Sequence, residues 1–330
     1  MAGSCSGDGE DASSLDEWIE ECTREEHAEF AARHQESLNN ILHDAAEAGD
    51  VVRLRQAIAS GADVNASIGR ECAGWRNHRL TALCSAVLAG KVYNNRAEEG
   101  RTACVRALLA AGAAASDALV FWEGDEIPSY AALHDAAYGG LARISRLLLD
   151  AGVDVNIRTA GDQTPLHWAA RNGRVEVCKW LLNERSADPN VGTHDGTRPL
   201  HWAIWQRQLE VSSLLLSAKA DLHALNSYGC NASQWAAQVQ VDDPSMCIWL
   251  LEKGLDLGVL NGNGHSALHK AAVKGNGRIC EWLLSDGGLG PRHLAEDGDG
   301  NTPSLMARLE GHVELAEYLM ASSEAALSVI

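Results

Sequence analysis

Three stretches of this 330-residue chain are copies of one another. Thr164-Pro165-Leu166-His167-Trp168-Ala169-Ala170 leads through Arg171-Asn172-Gly173 into Val175-Glu176-Val177-Cys178-Lys179-Trp180-Leu181-Leu182. The order returns as Thr197-Arg198-Pro199-Leu200-His201-Trp202-Ala203 with Ser213-Leu214-Leu215-Leu216, and as Ser266-Ala267-Leu268-His269-Lys270-Ala271-Ala272 with Cys280-Glu281-Trp282-Leu283-Leu284. Threonine before proline reads as a helix N-cap with proline at the first helical position, where its missing N–H removes no bond. Apolar residues then recur at helical spacing, Gly173 interrupts them, and a second apolar pattern begins. Each copy is therefore a helix, a tight turn and a second helix. Measured on the histidine position, the chain steps through His134, His167, His201, Gln234, His269 and Leu305, at intervals of 33, 34, 33, 35 and 36 residues. A unit this small cannot bury its apolar face alone, so such a period predicts a solenoid of stacked neighbours.

These residues resemble the ankyrin repeat, whose signature T-P-L-H-x-A recurs about every 33 residues. The resemblance implies an all-α solenoid of about eight helix-turn-helix units, the first two and the last degenerate, with an N-terminal capping helix. The array is expected over 38–330. An acidic segment, 1–37, precedes it, with a disordered start and a helix at about 15–37 that opens on the capping box Ser14-Leu15-Asp16-Glu17. The connections 66–80 and 114–130, and an insertion of about ten residues within Lys91 to Arg101, read as loops. Lys219 stands where Gly112, Gly152 and Gly254 follow other second helices, so that helix end is expected to give up its left-handed cap.

Charge and cysteine usage narrow the function. The net charge is −18, half of it within residues 1–40, which argues against nucleic acid or an anionic membrane as partner. No apolar run reaches the roughly 18 to 20 residues that span a bilayer. The nine cysteines include no C-x-x-C pair, and Cys104, Cys178 and Cys280 sit at apolar helix positions, so neither a disulfide framework nor a zinc site is indicated. A reducing compartment follows, the cytoplasm or the nucleus. The histidines sit one per repeat and do not converge, and no nucleophile, base and orienting group can be assembled. The chain therefore reads as a non-enzyme with no cofactor and no metal.

In an ankyrin-like array the resemblance places binding on the concave groove, lined by the hairpin tips and by the variable residue after the Ala-Ala of each first helix. That stripe is Glu47, Leu88, Tyr138, Arg171, Trp205, Gln238, Val273 and Arg308, with Tyr138, Arg171 and Trp205 at its centre. Tyr, Arg and Trp are the types enriched in binding hot spots. The tip residues His194, Asp195, Tyr228 and Asn263 extend the surface. Six tryptophans in register, Trp168, Trp202 and Trp235 after the histidine position and Trp180, Trp249 and Trp282 before a Leu-Leu pair, read as a core ladder. The expected function is a monomeric scaffold or adaptor that binds another protein. A regulatory subunit or assembly chaperone of a larger complex stays open beside it, as does an enzyme subunit with an unrecognised site.

Overall fold

The structure is a computed structural model that describes residues 11–72, 75–88, 95–115, 119–122 and 130–327. The described part is mainly helical and falls into two compact units, Met1–Ala114 and Ala115–Ile330.

The first unit holds helices α1 (Asp11–Ala48), α2 (Val51–Ala59), α3 (Ala82–Leu88) and α4 (Asn95–Ala110), with strands β1 (Ser67–Cys72) and β2 (Trp75–Thr81) between α2 and α3. The segment 11–48 contains neither glycine nor proline, and the expected helix at 15–37 and the first helix of repeat one are accordingly a single helix. Gly49, at φ +71°, ends it, and Asp50 caps α2 by accepting from the N–H groups of Val52 and Arg53. The connection expected as a loop at 66–80 is an antiparallel pair, β1 with β2. The insertion differs as well: residues 95–101 form the opening turns of α4, and Arg101 is buried against α3, its guanidinium 3.5 Å from the Val87 carbonyl. Residues 91–94 lie outside the described residues, as do 1–10 of the start expected to be disordered over 1–12; its last two residues, Asp11 and Ala12, belong to α1.

The second unit opens with the short antiparallel pair β3 (Leu119–Trp122) and β4 (Tyr130–Ala131). Six helix pairs follow: α5 and α6 (Ala132–Gly139, Ala142–Asp150), α7 and α8 (Pro165–Arg171, Val175–Glu184), α9 and α10 (Pro199–Trp205, Leu209–Ser217), α11 and α12 (Ala232–Ala237, Ser245–Glu252), α13 and α14 (Ala267–Lys274, Gly277–Leu284), and α15 and α16 (Pro303–Leu309, Val313–Leu327). First helices pack on first helices in the order α5, α7, α9, α11, α13, α15, which makes one row, and α6, α8 and α10 likewise pack in sequence. Between the rows lies an aliphatic core: Leu166, Ala169, Ala170, Val177, Cys178 and Leu181 in one repeat, and Leu200, Ala203, Ile204, Val211 and Leu215 in the next, are all buried. Burying each large aliphatic side chain stabilises by roughly 1.5–3 kcal/mol relative to exposure. Small alanines at the paired positions let successive first helices approach.

The histidine position ties repeat to repeat. In His167 the Nδ1 atom accepts from the Thr164 N–H at 3.1 Å, so the ring proton is on Nε2, which donates to the Thr197 carbonyl of the next repeat at 3.1 Å. His134 and His201 make the same pair of bonds, to Ala131 and Ile157, and to Arg198 and Ala224. Gln234 imitates the imidazole with its amide, accepting from the Asn231 N–H and donating to the Val259 carbonyl. Burial holds the three imidazoles neutral, lowering their pKa values from 6.5 to about 4.

The turns keep their geometry where the sequence departs from glycine. Lys219 takes φ +68° and still closes the helix end, its N–H bonding to Leu216 and that of Ala220 to Leu215, so the expected loss of the left-handed cap does not occur. Ser186 and Arg207 also lie at positive φ, +55° and +58°. The stacking of the repeats imposes the turn, and each non-glycine residue there is strained by about 1 kcal/mol.

Candidate interaction surface

Two slots on each first helix face away from the second-helix row: the x of T-P-L-H-x-A, directly after the histidine, and the position three residues later. Across the second unit the x slot holds Asp135, Trp168, Trp202, Trp235, Lys270 and Met306. The later slot holds Tyr138, Arg171, Trp205, Gln238, Val273 and Leu309. The last of these corrects the expected stripe: α15 is capped by Thr302 as α7 is by Thr164, which puts Leu309, 71 % exposed, and not Arg308 in register with Arg171.

The aromatic members form one file. Tyr138, 43 % exposed, stands edge-on to Trp168 with ring centroids 5.8 Å apart, and Trp168 stands edge-on to Trp202 at 6.0 Å. The Arg171 guanidinium lies 5.6 Å from both the Trp202 and the Trp205 ring, and Trp205 meets Trp235 edge-on at 6.1 Å. Trp168, Trp202, Trp205 and Trp235 are all half-buried. The expectation that Trp168, Trp202 and Trp235 are core is thus wrong: all three are half-buried, Trp168 and Trp202 against each other and Trp235 against Trp205. The signal was present in the sequence, because the same slot carries charged Asp135 and Lys270 in flanking repeats, which no core position would tolerate. Of the second trio, Trp180 is buried at 3 % exposed, while Trp249 and Trp282 are half-buried.

The hairpin tips form a second line. His194 N–H bonds to the Gly161 carbonyl, Ser227 N–H to Asp195, Gly262 N–H to Tyr228 and Gly298 N–H to Asn263, at 2.8–3.3 Å. His194, Asp195, Tyr228 and Asn263 therefore sit on a continuous backbone ladder, with His194, Tyr228 and Asn263 exposed. Asp195 stays ionised, its carboxyl held below the usual range: burial opposes this, but bonds from Thr193 and from the Thr197 N–H outweigh it. A cleft of about 250 Å³ joins tips to helices and is lined by Asp195, Tyr228, Trp235, Gln238, Asn263 and Lys270 among others. It brings together four of the eight predicted site residues, Asp195, Tyr228, Gln238 and Asn263; Tyr138, Arg171 and Trp205 belong to the file, and His194 to the tips. Trp168, Trp202, Trp235 and Lys270 are the members that the sequence reading did not assign to this surface.

Charge along the face is sparse. Asp135 heads the file with carboxylate oxygen Oδ2 shut from solvent and unpartnered among the described residues, and burial pushes its carboxyl well above the usual range. Arg171 and Lys270 make no ion pair within the described residues. Farther along, His265 is bonded to Asp297 at 2.6 Å, and Asp297 also accepts from the N–H groups of Asp299 and Asn301, which turns the last tip.

A family model for ankyrin repeats, written for three copies, matches residues 133–226 and 233–329. The chain belongs to the ankyrin-repeat family. Among curated relatives it is 31 % identical over 102 residues to a mouse protein named fem-1 homolog A-like, covering 31 % of this chain and 15 % of that one. It is 28 % identical over 167 residues to the palmitoyltransferase AKR1 of Lachancea kluyveri, 49 % of this chain and 22 % of that one. It is 46 % identical over 52 residues to the mouse protein phosphatase 1 regulatory subunit 12A, 16 % of this chain and 5 % of that one. The ankyrin chain thus spans less than a quarter of each of these relatives. No helix of the described residues is long and apolar enough to cross a membrane.

Proposed function

We propose that this ankyrin array is a non-catalytic protein-binding module, a scaffold or adaptor, whose partner lies along the first-helix row and the tip ladder of residues 130–300. One observation carries the reading. A file of partly exposed aromatic side chains from Tyr138 to Trp235, joined at its middle by Arg171, occupies slots where the fold asks for no aromatic group at all. A monomeric fold gains little from such a file in the open, whereas rigid aromatic groups present large contact area with few torsions to freeze, the property that makes them binding anchors. His134, His167 and His201 support a binding and not a chemical role, since each is locked neutral in a structural pair of bonds. The buried thiols Cys104, Cys178, Cys230, Cys247 and Cys280, unpaired among the described residues, fit a reducing compartment, the cytoplasm or nucleus. The expected division at 37/38 stands as part of this proposal, with 1–37 as a cover for the array.

A second reading, a regulatory subunit of a larger complex, draws on the similarity to a phosphatase regulatory subunit; it uses the same face. Site-specific photocrosslinking in native cells tests the face itself. A benzophenone amino acid at position 205 or 138 is expected to trap one discrete protein that the same probe at exposed Glu252, on the second helices, does not trap. Identical patterns from 205 and 252 would refute the reading.

A further inference from the structure

We propose that Arg171 is a carboxylate-reading anchor, and that the partner segment is an extended peptide carrying an internal Asp or Glu flanked on both sides by apolar residues. This rests on the protein-binding reading and names the chemistry of the partner. The guanidinium of Arg171 stacks near two indole rings at once, 5.6 Å from Trp202 and 5.6 Å from Trp205. A ring face attracts the cation but offers its N–H groups no oxygen acceptor, and no described residue supplies the guanidinium with one. An isolated surface arginine would sample many rotamers; here two rings flank the head group, and the Arg171 backbone carbonyl is held by Gln208 Nε2 at 3.4 Å. A preorganised fork without an acceptor is matched by a carboxylate, which accepts two parallel bonds in one plane.

Charge around the site favours the same ligand. Within the two slots of the second unit the ionised groups are Arg171 and Lys270, both without an ion pair among the described residues. The acid in those slots, Asp135, is half-buried, with its Oδ2 shut from solvent. Nearby charges are already engaged: Asp195 by Thr193 and Thr197, Arg158 with Asp162 at 3.5 Å, Arg174 Nε with the Tyr138 carbonyl at 2.9 Å, and Asp297 with His265. The net charge of −18 repels an acidic peptide at long range, but at physiological salt that repulsion is screened beyond about 8 Å, so contacts at the fork decide. Rings continue on both sides of Arg171, Tyr138 and Trp168 toward one end and Trp202, Trp205 and Trp235 toward the other. The bound chain therefore runs on in both directions, which selects an internal acidic side chain over a C-terminal carboxylate.

A phage-displayed library of random 12-residue peptides, flanked by fixed linkers and selected on the full chain, tests the assignment. Wild type is expected to enrich peptides with Asp or Glu at one position between apolar neighbours. Arg171→Glu is expected to keep the apolar neighbours and replace the acid by Lys or Arg. Arg171→Lys, which preserves charge without the planar fork, is expected to keep the acid while binding the wild-type-selected peptide at least about tenfold more weakly. Peptides that lack a fixed acid, or that bind Arg171→Glu and wild type alike, overturn the carboxylate assignment. If they nonetheless lose binding on Trp205→Ala, the protein-binding reading survives; peptides indifferent to both substitutions, or no enrichment, sink both.

Discussion

Trp180 and Trp168 sit twelve residues apart in one repeat and do opposite things. Trp180, on α8, is 3 % exposed and lies between two guanidiniums, Arg146 at 5.5 Å and Arg185 at 5.2 Å, which are tied in turn to Glu184 and Asp150. Trp168, on α7, is half-exposed and stands edge-on to Tyr138 and Trp202 of the same file. Two charged stems close over the Trp180 indole, whereas Trp168 keeps part of its ring in solvent. Residue type alone does not assign an aromatic group to fold or to function; its slot in the repeat and the side chains that close over it do.

The largest expected effect belongs to the buried histidine slot, the extreme of the covered side. His134, His167 and His201 have folded pKa values of about 4 against 6.5, so the unfolded chain binds more protons between those values. Stability is fully present above pH 6.5 and falls as pH drops toward 4, by on the order of 2–3 kcal/mol for each histidine. Urea midpoints of the array between pH 7.5 and 4 measure this. His167→Gln, which copies Gln234, is expected to leave stability at pH 7 within about 1 kcal/mol and to flatten part of the slope. A midpoint constant from 6.5 to 4 would show that burial does not govern these rings.

Next in size is the tryptophan pair itself. Trp180→Ala opens a cavity and is expected to cost about 3–5 kcal/mol. Trp168→Ala removes a half-exposed ring and is expected to cost about 1–2 kcal/mol, most of it lost ring contact. Equal losses would erase the distinction between the rows. Smaller still is Lys219→Gly, expected to raise stability by a few tenths to about 1 kcal/mol at a backbone position of φ +68°. A destabilised variant there would mean that the left-handed turn carries no strain.

The period, the helix pairs and the histidine bonds were legible because every repeat reuses one spacing, and a hydrogen-bonded slot must be refilled by a residue with the same donor and acceptor, as Gln234 shows. Other features escaped for local reasons. The long α1 runs through Ser37-Leu38-Asn39-Asn40, which look like a boundary, because nothing from 11 to 48 forces the backbone out of helix. Lys219 adopts a conformation that its side chain disfavours because its neighbours on both sides fix the turn, and a single residue does not reveal that constraint. The tip residues and Tyr138, Arg171 and Trp205 could be placed on one side from register alone. Their joining into a file could not, since recurrent tryptophan reads as core until its neighbours in the same slot, Asp135 and Lys270, are weighed.

The central claim is that the uncovered file serves a partner and not the fold. Affinity and melting temperature of Trp205→Ala, measured on the same preparation against the protein trapped at position 205, test it most directly. The expected result is a loss of about thirtyfold or more in affinity, the mark of a truncated hot-spot aromatic, with a melting temperature within a few degrees of wild type. A melting temperature lowered as far as in Trp180→Ala, with affinity unchanged in the protein that remains folded, would contradict the account.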